Sequence, residues 1–190
     1  MNPKLSKKRG WKQMFSFMLA LIMVFTLLPV GSMTAYAEES SSKQISGSGT
    51  EADPYIIKSS QELIDTINSN VDTTGKCYKL SDDFDNTTVI TEPLTGSGNK
   101  FAGTFDGNGQ TVKVNIINSD QSCVGLFGSN YGQISNINVA GTISGTSDHV
   151  GGICGENKKN GEIINCGNSA TVTGNEFVGG ICGSNKGTIT

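Results

Sequence analysis

The chain has 190 residues but contains only one histidine and one arginine, and it has no C-x-x-C pair. A single histidine leaves no H-E-x-x-H zinc-protease motif, and the missing C-x-x-C pairs remove support for a zinc knuckle or a thioredoxin-type site. His149 has no recognisable set of partners around it, so we interpret it as a lone surface residue rather than a general base. We therefore predict no catalytic residue, no cofactor and no metal site in this sequence.

Positive charge is scarce beyond the N-terminus. The chain has 14 Lys and Arg against 17 Asp and Glu, and five of the 14 basic residues precede Glu38. The remainder carries nine basic and 17 acidic residues, a net charge of −8. Because nucleic acids require clustered Lys and Arg for their phosphates, we predict no nucleic-acid partner.

The N-terminus has the three parts of a secretory signal peptide. Residues 4–12 supply five cationic side chains, residues 14–30 are apolar, and Ala35–Ala37 is an A-x-A cleavage site. The apolar segment is just long enough to span a bilayer if it is not cleaved, so a retained anchor is the alternative. We favour cleavage after residues 1–37, which predicts a secreted protein that meets the membrane only through its signal peptide.

The rest of the sequence repeats itself. The block Val150–Gly155 returns 28 residues later as Val178–Gly183, and Val124–Gly128 is a looser copy that precedes both. An asparagine follows each block at the same offset, at Asn130, Asn157 and Asn185. A fixed period of this length indicates a repeat architecture, and the third copy stops part-way, at Thr190.

Short segments with one apolar face become stable only when successive copies stack. We therefore predict a mainly β protein, a right-handed parallel β-helix (solenoid) with an N-terminal capping helix. A β-propeller or sandwich is the alternative, but a four-stranded blade takes about 40 residues. The predicted inward residues are Leu126, Ile134 and Ile143, then Ile153, Ile163 and Val172, then Ile181 and Ile189. We expect the three asparagines to stack at a corner with left-handed backbone geometry.

Four parts follow from this reading. Residues 1–37 are the signal peptide, and residues 38–52, rich in Ser and Gly, are a flexible linker. Residues 53–95 form a strand–helix–strand cap, with the helix starting at a capping box made by Ser59 and Glu62. Residues 96–190 are the repeats, the last one incomplete.

Two acidic segments are candidates for a catalytic site or a calcium site. Asp82 and Asp83 superficially offer a carboxylate pair of the kind that glycan-cleaving enzymes use, but neighbouring strand residues face opposite sides and no arginine partner exists. We interpret this pair as part of a solvated turn. Asp106–Gly109 suggests a hairpin or a calcium loop on local evidence, yet it lacks the EF-hand glutamate. We interpret it as a turn between two sides of one coil.

The five cysteines include one pair at equivalent repeat positions. Their odd number leaves at least one thiol unpaired within the chain. Stacking places Cys154 and Cys182 one strand spacing apart, roughly 4.8 Å, which is within the Cα range of a disulfide. The alternative, which we favour here, is that both are small apolar side chains stacked on Phe127.

These motifs resemble the GLUG-repeat proteins of bacterial surfaces. Val150–Cys166 is similar to their V-G-G-L-F-G-x-N-x-G-x-I-x-N-C motif, and Phe101–Gly109 resembles the segment that introduces such arrays. Gly47–Tyr55, followed by Gln61–Leu63, is similar to the start of the family, so the resemblance covers residues 47–190. Thr91–Thr95 departs from the family, which often has W-x-P-I-G there.

The resemblance implies a secreted or wall-attached protein whose repeats form a stalk or an adhesive surface. The expected function is a non-catalytic extracellular repeat module, with a host or cell-surface glycan or protein as ligand. The alternative is an accessory region of a secreted hydrolase, such as an IgA-protease-type zinc metalloprotease, with its catalytic domain beyond Thr190. Polysaccharide lyase activity is a weaker third hypothesis, since pectin-degrading enzymes share the β-helix.

Overall fold

A computed structural model describes residues 45–70, 72–95, 100–146 and 148–190, and only the backbone of Asn118. The predicted signal peptide and the first part of the predicted linker lie outside the described residues. Among the described residues, no helix is long and apolar enough to cross a membrane.

The described chain contains one helix and many short strands. Helix α1 spans Ser60–Ser69. The strands are β1 (Tyr55–Ser59), β2 (Cys77–Asp85), β3 (Lys100–Phe101), β4 (Thr104–Asp106), β5 (Thr111–Ser119), β6 (Cys123–Val124), β7 (Phe127–Asn130), β8 (Gln133–Ser135), β9 (Asn138–Gly145), β10 (His149–Gly151), β11 (Cys154–Asn157), β12 (Glu162–Ile164), β13 (Gly167–Asn168), β14 (Thr171–Thr173), β15 (Phe177–Gly179), β16 (Cys182–Asn185) and β17 (Thr188–Ile189).

The strands form parallel sheets along the sides of a coil. One sheet has the order β1-β2-β4-β8-β12-β17, a second β3-β7-β11-β16, and a third β6-β10-β15. In the fourth, β9 pairs with β5 and with both β13 and β14. Each strand pairs in parallel with the equivalent strand of the next coil, as Val150 does with Val124 and Val178. The predicted parallel β-helix is therefore confirmed.

A continuous column of apolar side chains fills the coil. The predicted inward residues of the first two rungs are buried, apart from the half-buried Val172. Ile181 is half-buried and Ile189 is 41% exposed, because β17 has a strand partner only on the β12 side in the described chain. Aromatic rings pack against one another in the N-terminal coils, where Phe101 and Phe127 have ring centroids 5.0 Å apart. Full burial of each such side chain stabilises the fold by about 1.5–3 kcal/mol.

An asparagine ladder runs along one inner corner. The side-chain nitrogen of Asn130 donates to Oδ1 of Asn157 at 2.9 Å, and that of Asn157 donates to Oδ1 of Asn185 at 2.8 Å. Asn130 and Asn157 are fully buried. Asn157 also donates to the carbonyls of Gly161 and Thr188, at 3.1 and 3.3 Å. The ladder therefore ties each coil to the next and satisfies backbone groups at the turn.

The predicted backbone geometry of this ladder is wrong. Asn130, Asn157 and Asn185 end strands β7, β11 and β16 in extended conformation. The left-handed asparagines of the described chain are instead Asn108, Asn136 and Asn165, with φ of 52°, 54° and 51°. These three lie where the chain turns out of a strand, and Asn165 donates to Asn136 at 2.9 Å. The side-chain amide of a ladder asparagine can hydrogen-bond to the equivalent amide of the next coil while its strand remains extended. The left-handed turn therefore lies at other residues.

The glycine that lies two residues after Asn130 and after Asn185 permits a close approach between coils. A Cβ atom on Gly132 would lie 2.0 Å from the carbonyl oxygen of Gly103 in the preceding coil. A Cβ atom on Gly187 would lie 2.1 Å from the carbonyl oxygen of Gly161. The N-x-G spacing therefore reflects backbone packing between rungs.

The N-terminal helix begins at the predicted capping box. Ser59 is the N-cap and accepts from the backbone nitrogen of Glu62 at 3.2 Å, while the Glu62 carboxylate accepts from the nitrogen of Lys58 at 2.6 Å. The helix buries Leu63 and Ile67. Strand β2 extends to Asp85, so the predicted turn at Asp82 and Asp83 is wrong. These two residues lie in an irregular part of the strand, between the register pairs Ile57–Leu80 and Ser59–Asp85.

The Asp106–Gly109 segment turns one side of the coil into the next, as predicted. The backbone nitrogen of Gly107 donates to the carbonyl of Ser135 at 2.8 Å, and Gly109 donates to the carbonyl of Asn136 at 2.7 Å. Strands β4 and β5, on either side, pair with separate sheets and not with each other. The Asp106 side chain accepts a hydrogen bond from the backbone nitrogen of Asn108 at 2.9 Å. This local hydrogen bond stabilises the turn.

The asparagine ladder predicts a strong effect of Asn157→Ala. This change leaves the amide of Asn130 and the carbonyls of Gly161 and Thr188 without their buried partner, so the free energy of unfolding should fall by about 2–3 kcal/mol. Urea unfolding at pH 7 measures the fall as a lower midpoint at unchanged slope. The control is Asn160→Ala, in the exposed turn of the same coil, with an expected change below about 0.5 kcal/mol. Equal midpoints for the two variants would contradict a structural role for the ladder.

Candidate binding surface

Four lysines and one tyrosine meet at an outer corner of the solenoid, which we name the lysine corner. It comprises Lys100, Tyr131, Lys158, Lys159 and Lys186. Lys100 begins β3, and Tyr131, Lys158 and Lys186 directly follow β7, β11 and β16. Lys159 is the next residue after Lys158. Because these four strands are neighbours in one sheet, their ends bring the chain segments that carry these five residues to one edge.

Tyr131 lies between cations from two coils. The Nζ atom of Lys100 is 5.3 Å from the centroid of the tyrosine ring, and that of Lys158 is 5.8 Å from it. Both distances are within the range of a cation–π interaction. Tyr131 is still 41% exposed, so part of the residue remains available to a ligand.

A nearly buried carboxylate fixes two of the lysines. Oε2 of Glu156 is 2.5 Å from Nζ of Lys158, and Oε1 is 2.8 Å from Nζ of Lys186. Only 8% of the Glu156 side chain is exposed, whereas 62% of Lys186 is. Each oxygen thus has its own cation, which holds both ammonium groups in place.

The lysines determine the ionisation of Glu156. Burial raises the pKa of its carboxyl group, but the hydrogen bonds from Lys158 and Lys186 outweigh burial and hold the pKa below its ordinary value. The same hydrogen bond to Glu156 raises the pKa of Lys158. The three charges are therefore retained together at neutral pH.

The lysine corner is a local reversal of the charge of the chain. It contains four of the nine basic residues that follow Glu38, against 17 acidic residues in the same stretch. Glu156 neutralises one positive charge there. Glu162, on the adjoining sheet, accepts from the side-chain nitrogen of Gln133 at 2.9 Å. The corner therefore keeps an excess of positive charge on an acidic protein.

The residues considered as sites from the sequence lie elsewhere. Asp82 accepts from the side-chain nitrogen of Asn108 at 2.7 Å, and its neighbour Asp83 is exposed. His149 is half-buried and stacks on Phe177, with ring centroids 5.1 Å apart and planes at 11°, so it is not the lone surface residue predicted. In the described part of the chain, no group of three or more His, Cys, Asp or Glu is placed to hold a metal ion.

Sequence reasoning did not identify the lysine corner, although a signal for it existed. Tyr131, Lys158 and Lys186 each directly follow an asparagine of the ladder, so the repeat alignment already places them at one corner. Lys100 precedes the first repeat block, Val124–Gly128, and aligns with Ser129 only through the pairing of β3 with β7. Its contribution was visible only in the structure.

Comparisons with known proteins give two distant relatives. Halomucin of Haloquadratum walsbyi is 32% identical over 155 residues, which cover 66% of this chain and 2% of halomucin. A Gly-rich protein of Evansella cellulosilytica, named as a membrane protein, is 28% identical over 155 residues, which cover 75% of this chain and 18% of that protein. This chain thus corresponds to a small part of each relative. No protein-family profile matches it, and no solved structure is significantly similar.

The depressed pKa of Glu156 predicts a pH-dependent effect of Glu156→Gln. A carboxyl group whose pKa is lower in the folded state stabilises the fold above its unfolded pKa, about 4.3, and this stabilisation is lost as the pH falls through the folded pKa. At pH 7 the free energy of unfolding of the variant should be lower than that of the wild type by about 1 kcal/mol. The loss is no larger because ion pairs with partly exposed lysines contribute little to stability. Urea unfolding from about pH 7 down to pH 3 should show the difference shrinking below about pH 4.

The control for this experiment is Glu176→Gln, which removes an exposed carboxylate from another part of the solenoid. A difference between wild type and Glu156→Gln that stays constant down to pH 3 would contradict the assigned ion pairs.

Proposed function

We propose that this chain is a non-catalytic extracellular repeat module that acts in adhesion and binds acidic glycans through the lysine corner. The observation that carries the proposal is the set of lysines from successive coils held around Tyr131 and Glu156. A solenoid repeats its outer surface at each coil, at roughly the 4.8 Å spacing of strands. A regular surface of this kind suits a polymer that repeats its own charged groups.

The chemistry of the lysine corner selects a carboxylated or sulfated sugar. Lysine presents a point charge with three donors, which suits single anionic groups. The ring of Tyr131 offers an apolar body with a polar tip, which suits the mixed surface of a sugar. Each exposed ion pair contributes only about 0.2–1 kcal/mol, so useful affinity requires several contacts along one polymer.

The extracellular setting rests on the predicted signal peptide and on the resemblance to GLUG-repeat proteins. The name of the Evansella cellulosilytica relative, a membrane protein, is in keeping with a place at the cell envelope. The absence of a legible acid–base set in the sequence supports a binding or spacer role over catalysis. A binding experiment is needed to distinguish an adhesive module from a stalk that has no ligand.

The proposal predicts salt-sensitive binding to an acidic glycan. The full chain should bind immobilised polygalacturonate and not neutral dextran, and added salt should weaken binding because exposed charges are screened. Lys100→Gln with Lys159→Gln removes two charges that do not bond to Glu156. At about 0.7 kcal/mol for each charge, the double variant should bind roughly tenfold more weakly.

The matched control is Lys58→Gln with Lys113→Gln, which lowers the net charge equally at exposed lysines in β1 and β5. Equal weakening by both double variants would show general electrostatic attraction and reject the lysine corner. If the wild type binds no acidic polymer, adhesion to acidic glycans is rejected and only the stalk role remains. Unsaturated sugar products released from polygalacturonate would show a lyase and overturn the non-catalytic proposal.

A further inference from the structure

We propose that Cys154 and Cys182 are a site of oxidative cross-linking, at which a disulfide bond joins two successive coils. The inference is independent of glycan binding. Both residues open their strands, β11 and β16, and they are register partners in the same parallel sheet. Their Sγ atoms are 3.5 Å apart.

The backbone already meets the requirement for a disulfide. Neighbouring strands place paired Cα atoms roughly 4.8 Å apart, inside the 4.4–6.8 Å range that disulfides span. The sulfur atoms need to approach by about 1.5 Å to reach the bond length of about 2.04 Å. Rotation of two side chains with a small shift of β16 supplies that movement. No change of register or coil topology is required.

The other three cysteines face different partners. Cys123 is paired in register with His149, and its sulfur is 3.8 Å from Oε2 of Glu156. Cys166 donates to the carbonyl of Ile164 at 3.3 Å. Cys77 is paired in register with Thr104. The odd number of cysteines is therefore explained by one cross-linking pair and three separate thiols.

The two thiols of the pair are chemically unequal. Cys154 is fully buried and donates its S–H to the sulfur of Cys182, which is half-buried. This hydrogen bond raises the pKa of Cys154, as burial also does, and lowers the pKa of Cys182. Because the thiolate is the nucleophile, Cys182 reacts first with the oxidant, and Cys154 then attacks the mixed disulfide formed at Cys182.

A low-molecular-weight disulfide such as oxidised glutathione is the class of oxidant required. The Cys182 thiolate attacks one sulfur of the oxidant, the oxidant's S–S bond breaks, and one glutathione thiolate leaves and takes up a proton. Cys154 then loses its proton to solvent and attacks Sγ of Cys182, which releases the second glutathione thiol. In total, two protein thiols are oxidised to one disulfide and one glutathione disulfide is reduced to two thiols.

The test uses the full chain, first reduced and then incubated with oxidised glutathione at about pH 8. The free thiols should fall from the five that the protein contains to three, with a mass lower by about 2 Da for the two hydrogens lost. Peptide mapping should recover one cross-linked pair that contains Cys154 and Cys182. The urea midpoint should rise by roughly 1–2 M, because the bond closes a loop of about 29 residues in the unfolded chain.

Single variants separate the two roles. Cys154→Ala should accumulate a stable glutathione adduct at Cys182, whereas Cys182→Ala should lose the cross-link and leave Cys154 unmodified. The control Cys166→Ala should still form the bond. A stable adduct on the wild type, a cross-link through another cysteine, or five free thiols in the oxidised folded protein would overturn the proposal. The wild-type map decides the question even if a variant fails to fold.

Discussion

In-register pairing of successive coils is the constraint on which the rest of this structure depends. Side chains alternate between the inside and the outside of a strand, so a slip of one residue would exchange the two sets. The register aligns Phe127 with Cys154 and Cys182, and it aligns Ser129 with Glu156 and Ser184. The apolar column, the lysine corner and the cysteine pair are three consequences of one alignment.

Two kinds of interaction share the task of holding that register. The apolar column contributes most of the stability, because each coil before the last one buries several valine, isoleucine, leucine or aromatic side chains. Apolar contact is not directional, however, and tolerates exchange among similar side chains. The ladder of Asn130 and Asn157 is directional, since each buried amide left without a partner costs about 1–3 kcal/mol. The column therefore favours a stacked fold, and the ladder selects one alignment of it.

The repeat made the fold predictable, and the limits of prediction lie where a residue depends on neighbours distant in sequence. Identical blocks predicted the parallel solenoid, the stacking of Cys154 on Cys182 and the inward isoleucines. Local preference misplaced the left-handed turn, because asparagine tolerates that geometry but the inner corner needs an extended strand. His149 was misjudged because its partner, Phe177, lies 28 residues away in sequence and one coil away in space. Lys100 was missed for the same reason.

The most direct test of the register is solution NMR of the side-chain amides in the ladder. The structure predicts nuclear Overhauser contacts between the amide groups of Asn130 and Asn157, and between those of Asn157 and Asn185. Backbone contacts should likewise link Val150 to both Val124 and Val178 in parallel fashion. Antiparallel contacts between β4 and β5 across the Asp106–Gly109 turn, with no contact between the asparagines, would contradict the stacked coil.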